Sequence, residues 1–123
     1  MNGNKFLADT NTLIYLYDGN QTVAEILDGK TVFISFITEI ELLSKPGLKP
    51  AQLKLLQRLL NDFVIIDINK AIKDYAALIR RQYRIKLPDA IISATAKYLS
   101  VPLITADNIF KKVPDVDIIL FDI

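Results

Sequence analysis

The sequence predicts an α/β domain built on a mainly parallel sheet of four to five strands. Short apolar runs alternate with amphipathic stretches along the whole chain, the pattern of strands separated by covering helices. The acids are skewed, with 11 Asp against three Glu, and Asp is a poor mid-helix residue, so many of these side chains are expected at element ends.

The strands are expected at Phe6-Leu7-Ala8, Thr31-Val32-Phe33-Ile34, Phe63-Val64-Ile65-Ile66 and Val101-Pro102-Leu103-Ile104, with Ile118-Ile119-Leu120-Phe121 as a fifth. Helical patterns fill the intervals: Thr12 to Tyr17, Thr22 to Leu27, Phe36 to Ser44, Ala51 to Asn61, Lys70 to Tyr83 and Pro88 to Leu99. Gly19-Asn20, Asp28-Gly29, Pro46-Gly47 and Pro50 mark turns, and Pro88 suits a first helical turn, where its missing N–H leaves no bond unmade. No linker, repeat or composition shift divides the chain, so residues 1–123 are expected to form a single domain. In the helix Ala51 to Asn61, Leu53, Leu56 and Leu60 form one stripe with Leu55 and Leu59 beside it. This surface is expected in the core, with a dimer or partner face as the alternative.

Composition excludes much chemistry. With 123 residues and 51% hydrophobic residues the chain can bury a core without staples, and with no Cys it has no disulfide, thiol nucleophile or zinc-thiolate site. With no His it cannot build His-dependent triads, paired-His nuclease chemistry or most catalytic zinc sites. Any catalysis must come from carboxylates, hydroxyls, amines or a bound cofactor. The net charge of +1 sets up no global field, so binding to a polyanion needs a local basic cluster. Met1 to Leu7 lacks the apolar run of a signal peptide and no stretch is long enough to span a bilayer, which leads to a cytoplasmic expectation without membrane partners.

Two acids, Asp9 and Asp107, follow strands at the edge where a parallel sheet gathers its ligands, and Glu41 and Asp89 could converge on the same crevice. Asp9 follows the first strand and opens a helix, where an N-cap role is the bland alternative; Asn11 shares the ambiguity. Asp107 follows the fourth strand, with Thr105 between, and it too could be a cap. Glu41 and Glu39 flank the apolar stripe of the helix after the second strand, and periodicity does not choose between them. Thr38 and Glu41 also have capping-box spacing. Asp89 sits in the first turn of a helix of small and apolar residues, where the helix dipole favours an acid. If that helix runs antiparallel to the strand it feeds, Asp89 reaches the same edge, and Ser93 at i+4 lines the same face. Carboxylates gathered this way repel unless a cation neutralises them, and hard oxygen donors point to Mg²⁺ or Mn²⁺.

Asp9-Thr10-Asn11-x-Leu13-Ile14-Tyr15, Ser35-x-Ile37-Thr38-x-x-Glu41-Leu42-Leu43, Leu87-Pro88-Asp89-Ala90-Ile91-Ile92 and Thr105-x-Asp107-x-x-Phe110, in this order, resemble the conserved blocks of PIN domains. The resemblance is closest to VapC-type ribonuclease toxins of toxin-antitoxin pairs, and it covers essentially the whole chain. It implies a three-layer α/β/α sandwich and Mg²⁺- or Mn²⁺-dependent hydrolysis of RNA phosphodiester bonds. The acidic set it implies is Asp9, Glu41, Asp89 and Asp107, both as metal ligands and as the catalytic groups. It assigns the glutamate of the second block to Glu41 rather than Glu39, and makes Asn11 and Thr105 supports of the acids. A homodimer and a small antitoxin partner follow from the same resemblance.

Phosphate contacts are expected from Arg80, Arg81, Arg84 and Lys86 before Asp89, and from Lys111 and Lys112 after Asp107; a solvated helix face and loop is the alternative. Tyr15 and Tyr17 are expected in the core rather than stacked on bases. Two other readings compete. A receiver-like signalling domain needs an acidic pair after the first strand and a lysine after the last, and neither is present. A catalytically inactive PIN-like RNA-binding or assembly module has no reason to keep a repelling acidic cluster.

Overall fold

The structure is a computed structural model and describes residues 4–123; residues 1–3, part of the segment expected to lack a leader, lie outside the described residues. Five parallel strands, β1 (Lys5–Ala8), β2 (Thr31–Ser35), β3 (Val64–Ile66), β4 (Leu103–Thr105) and β5 (Ile118–Leu120), form one sheet in the order β3-β2-β1-β4-β5. Six helices connect them: α1 (Thr10–Tyr17), α2 (Gln21–Leu27), α3 (Phe36–Leu43), α4 (Pro50–Leu60), α5 (Lys70–Gln82) and α6 (Leu87–Leu99). A 3₁₀ turn, Asn108–Lys112, follows β4.

The strand alternation divides the core in two. Phe6, Ala8, Val32, Ile34 and Ile104 pack with Leu13 of α1, Val23 and Leu27 of α2, Leu42 of α3 and Leu60 of α4. Leu7 and Leu103 point the other way, into a cluster with Ile72, Ala76 and Ile79 of α5 and Ile91 and Ile92 of α6. Successive side chains of a strand face opposite sides, so a sheet covered on both faces gives the continuous apolar runs seen here and the three layers expected. Each fully buried Leu or Ile contributes about 1.5–3 kcal/mol relative to exposure. From Ala90 to Ala96 every residue of α6 is buried; its Ala and Ser side chains let α5 and the sheet close around it.

The helix starts are written in short polar side chains. Asn20 accepts from the Val23 N–H at 3.1 Å and Asn69 from the Ile72 N–H at 2.8 Å, while α6 begins on Leu87-Pro88 with no side-chain cap.

Three expectations are adjusted. The fourth strand is Leu103–Thr105 rather than 101–104: Val101 and Pro102 precede the ladder, and the Pro102 carbonyl accepts from the Leu7 N–H at 2.9 Å. The third and fifth strands are each one residue shorter than the apolar runs, because Phe63 and Phe121 lie outside the strands, packed against a core cluster. The leucines of α4 split: Leu56 and Leu60 are buried, Leu53 and Leu59 half-buried, and Leu55 stays 53% exposed. Among the described residues no helix is long and apolar enough to cross a membrane.

Candidate functional site

The carboxyl edge of β1 and β4 opens on a crevice of about 450 Å³, lined by Asp9, Asn11, Glu41, Asp89 and Asp107 together with Thr10, Lys45 and Phe110. Four segments far apart in sequence thus bring their acids to one place, because β1 lies at the centre of the sheet with β4 beside it and the α6 N-terminus at the same edge.

Asp9 is at once the N-cap of α1 and a wall of this crevice. Its Oδ1 accepts from the Thr12 N–H at 3.0 Å and from the Thr12 hydroxyl, and its Oδ2 accepts from Thr105 Oγ1 at 2.6 Å. At 3% exposure the carboxylate is nearly dehydrated. Burial raises its pKa above the ordinary value, the bonds from Thr105 and Thr12 oppose the rise, and the charge of Asp107 adds to it. Asp107 likewise caps the 3₁₀ turn, with Oδ1 accepting from the Ile109 N–H at 2.9 Å, while its own N–H donates to Thr105 Oγ1 at 2.9 Å. One threonine hydroxyl therefore spans both acids. For Asp9 and Asp107 capping and crevice geometry coexist: both line the crevice, Asp107 capping through Oδ1 alone and Asp9 holding Thr12 on Oδ1 and Thr105 on Oδ2.

Asp89 stands in the first turn of α6, half-buried. Its pKa is raised, first by burial, then by the charges of Asp107, Glu41 and Asp9, with Lys86 opposing. Glu41 does not close a capping box. The N-cap of α3 is Ser35, whose Oγ accepts from the Ile37 N–H at 3.2 Å. Glu41 Oε1 instead accepts from Thr10 Oγ1 at 2.6 Å, and Thr38 Oγ1 lies 3.1 Å from the same Thr10 oxygen. Thr10 spends its one hydrogen on the carboxylate, so Thr38 donates to Thr10, and the relay Thr38–Thr10–Glu41 fixes a side chain that is otherwise exposed. Glu39 is absent from the crevice lining.

The expected supports separate. Asn11 lines the crevice and Thr105 bridges Asp9 to Asp107. Ser93 does not line it. The crevice is bounded on that helix by Asp89 and Ile92, while Ser93 is fully buried, with no hydrogen-bond partner for its hydroxyl among the described residues. A residue at i+4 overlies Asp89 one turn further along, which here takes it beneath the crevice floor.

Of the basic residues, Lys86 is near enough to act on Asp89, and Lys112 Nζ donates to the Arg84 carbonyl at 3.4 Å, joining the α5–α6 connection to the 3₁₀ turn. Arg80, Arg81, Arg84, Lys86, Lys111 and Lys112 are all exposed, and none of the six lines the crevice. Lys45, not singled out in the sequence, does. Its position just after α3, next to Pro46, is the only sequence signal for it. Tyr15 and Tyr17 are half-buried, and Tyr15 meets Phe121 edge to face, with ring centroids 6.5 Å apart.

The donor set is all hard oxygen, which suits Mg²⁺ or Mn²⁺. Among the described residues no three acids already stand as a closed ion cage. That arrangement still fits Mg²⁺, which commonly keeps several waters and takes one or two carboxylates.

A five-stranded parallel domain with carboxylates from four segments at the carboxyl edge defines a class of α/β proteins with an acidic edge crevice. A model of the PIN domain matches residues 6–116, and the chain belongs to that family. Among solved structures it is similar to a chain of a toxin-antitoxin complex from Klebsiella pneumoniae, at 33% identity and TM-score 0.83, covering 95% of this chain and 98% of that one. It is also similar to chains of FitAcB from Neisseria gonorrhoeae (26% identity, TM-score 0.78, 92% and 95% covered) and, in fold, of VapBC2 from Rickettsia felis bound to a DNA fragment from their promoter (23% identity, TM-score 0.85, 96% and 99% covered). No curated protein matches the sequence.

Proposed function

We propose that the protein is a Mg²⁺- or Mn²⁺-dependent endoribonuclease and the toxin of a toxin-antitoxin pair. The reading rests on one observation above the rest: Asp9, Glu41, Asp89 and Asp107 converge from four segments, and two of them carry pKa values raised partly by the charge of the others. Such a cluster costs stability in the metal-free protein, and a bound divalent cation would offset that cost. Membership of the PIN family, and likeness to subunits of toxin-antitoxin complexes, supports the toxin role and an antitoxin partner. A homodimer is part of the same reading.

Asp9, Asp89 and Asp107, with Glu41, would hold the ion. When bound, a divalent cation makes water a competent nucleophile near neutral pH and offsets charge on the phosphoryl oxygens. Thr105 and Thr12 keep the Asp9 carboxylate in one orientation, and Thr10 does the same for Glu41. Lys45 at the crevice and Lys86 at its margin attract the phosphate, and Arg80, Arg81, Arg84, Lys111 and Lys112 extend the contact along the strand.

The test is cleavage of a mixed structured-RNA pool with Mg²⁺, Mn²⁺ or EDTA, with Asp9→Asn and Asp89→Asn beside the wild type. Metal-dependent cutting that both substitutions abolish, leaving 5′-phosphate and 3′-hydroxyl ends, is the expected result. Cutting that survives EDTA, or a folded protein that binds no Mn²⁺, overturns the reading.

A further inference from the structure

Asn11 and Asp107 are shared walls. On one side they line the acidic crevice; on the other they bound a second cavity of about 350 Å³, closed by Tyr15, Asn108, Phe121 and Asp122. Its aromatic walls are held in place. The Phe121 N–H donates to the Thr105 carbonyl at 3.0 Å, which ties this ring to the strand that positions Asp9. Tyr15 and Phe121 meet at an interplanar angle of 84° and are both packed against the core on their inner sides. Two fixed, mutually perpendicular rings make a corner, and the cavity around it carries two side-chain amides, Asn11 and Asn108, and two carboxylates, Asp107 on the crevice side and Asp122 on the other.

A corner of two aromatic rings with hydrogen-bonding groups at its edge matches a nucleobase: proteins read unpaired bases by stacking them on aromatic rings and bonding their Watson–Crick edges. The rim also discriminates among the bases. Asp122 only accepts hydrogen bonds, whereas the Asn11 and Asn108 amides can both donate and accept. Guanine alone among the four bases offers two adjacent donors, N1–H and the N2 amino group, to a carboxylate, with O6 left for an amide N–H. Adenine and cytosine offer one amino group beside an acceptor nitrogen, which a carboxylate repels, and uracil offers one N–H between two carbonyls.

We propose that this second cavity is a base-binding subsite, in which a guanine of single-stranded RNA stacks against the Tyr15–Phe121 corner and bonds through its Watson–Crick edge to Asp122. The inference rests on the nuclease reading for its substrate class and adds the selectivity. A strand with its guanine in this cavity has the adjoining backbone at Asn11 and Asp107, at the mouth of the acidic crevice. Asp122 is then a specificity-determining residue.

The test is fluorescence anisotropy with 5′-fluorescein hexanucleotides (UG)₃, (UA)₃, (UC)₃ and U₆, in EDTA so that metal-dependent cutting cannot intrude, on the wild type and Asp122→Asn. The expected result is that (UG)₃ binds roughly tenfold or more tightly than the other three, the scale of a charge-assisted pair of hydrogen bonds, and that Asp122→Asn removes most of the difference. A misfolded variant weakens all four oligonucleotides together, so the ratio within one protein is the readout; Asp122→Glu, which keeps the carboxylate, is expected to retain part of the preference. Equal binding of the four by the wild type, binding of none, or a preference that Asp122→Asn leaves unchanged overturns the subsite. Because this readout needs no cleavage, RNA cutting without base preference defeats the subsite alone, and base preference without cutting defeats the nuclease reading alone.

Discussion

Thr105 Oγ1 donates to Asp9 Oδ2 at 2.6 Å across 96 residues of sequence, and the same oxygen accepts the Asp107 N–H at 2.9 Å. Replacing it with valine keeps the shape and removes both bonds. Thr105→Val is expected to cost about 1–3 kcal/mol, because a buried carboxylate oxygen loses its donor, and to raise the Asp9 pKa further. Thermal unfolding measures the first effect. Unchanged stability would mean that Asp9 finds another donor.

Asp89→Asn separates stability from function. It removes one charge from a like-charged group, so the metal-free protein is expected to melt at a higher temperature than the wild type while losing Mn²⁺ affinity and cleavage. A lower melting temperature in EDTA would show that Asp89 is held by an attractive partner instead.

The pH dependence has a definite sign. Asp9 and Asp89 have folded-state pKa values above the ordinary 3.8, so the folded state binds more protons than the unfolded one in the interval between those values. Their contribution to metal-free stability therefore declines as pH rises through that interval. A divalent cation competes with those protons, so the rise in Tm produced by Mg²⁺ is expected to be larger at pH 7 than near pH 4. Tm measured in EDTA and in Mg²⁺ across this range checks both halves.

Thr10 holds Glu41 through an exposed contact, so Thr10→Val is expected to change stability by less than about 1 kcal/mol. If Glu41 serves the ion, however, metal affinity falls by roughly 10- to 100-fold, the usual cost of losing a group that orients a ligand. Calorimetric Mn²⁺ titration decides it; an unchanged affinity would place Glu41 outside the ion's reach.

The orphaned hydroxyl of Ser93 gives a prediction in the stabilising direction. Ser93→Ala removes a buried polar group without a hydrogen-bond partner among the described residues and is expected to add roughly 1 kcal/mol. A loss of stability on chemical denaturation would mean that this hydroxyl is satisfied in solution.

The sheet was legible because its strands read as unbroken apolar runs, the three inner ones buried on both faces, and because turn residues punctuate them. Asp9 and Asp107 were legible as crevice residues only through the rule that ligands gather at strand carboxyl ends. Local spacing argued equally for caps, and both acids do cap: Asp107 through Oδ1 alone, Asp9 through Oδ1 with its Oδ2 taken by the Thr105 hydroxyl. What sequence could not supply was contact across distance. Periodicity left Glu41 and Glu39 open and only the resemblance chose Glu41; the structure lines the crevice with Glu41 and sets the Thr10 hydroxyl, 31 residues away, on its carboxylate. Ser93 failed for the opposite reason: spacing placed it correctly over Asp89 but could not reveal that the helix is enclosed on every side at that level. Lys45 went unread because a loop carries no periodic signal, and the meeting of Tyr15 with Phe121 is another contact between distant parts of the chain.

The strand order also sets a timetable for synthesis. Because β4 completes the site beside β1, a chain emerging from the ribosome carries Asp9, Glu41 and Asp89 for some time before Thr105 exists to orient Asp9 or Asp107 to face it. The crevice is therefore among the last features of the molecule to form, and a chain cut short before residue 105 lacks both Thr105 and Asp107.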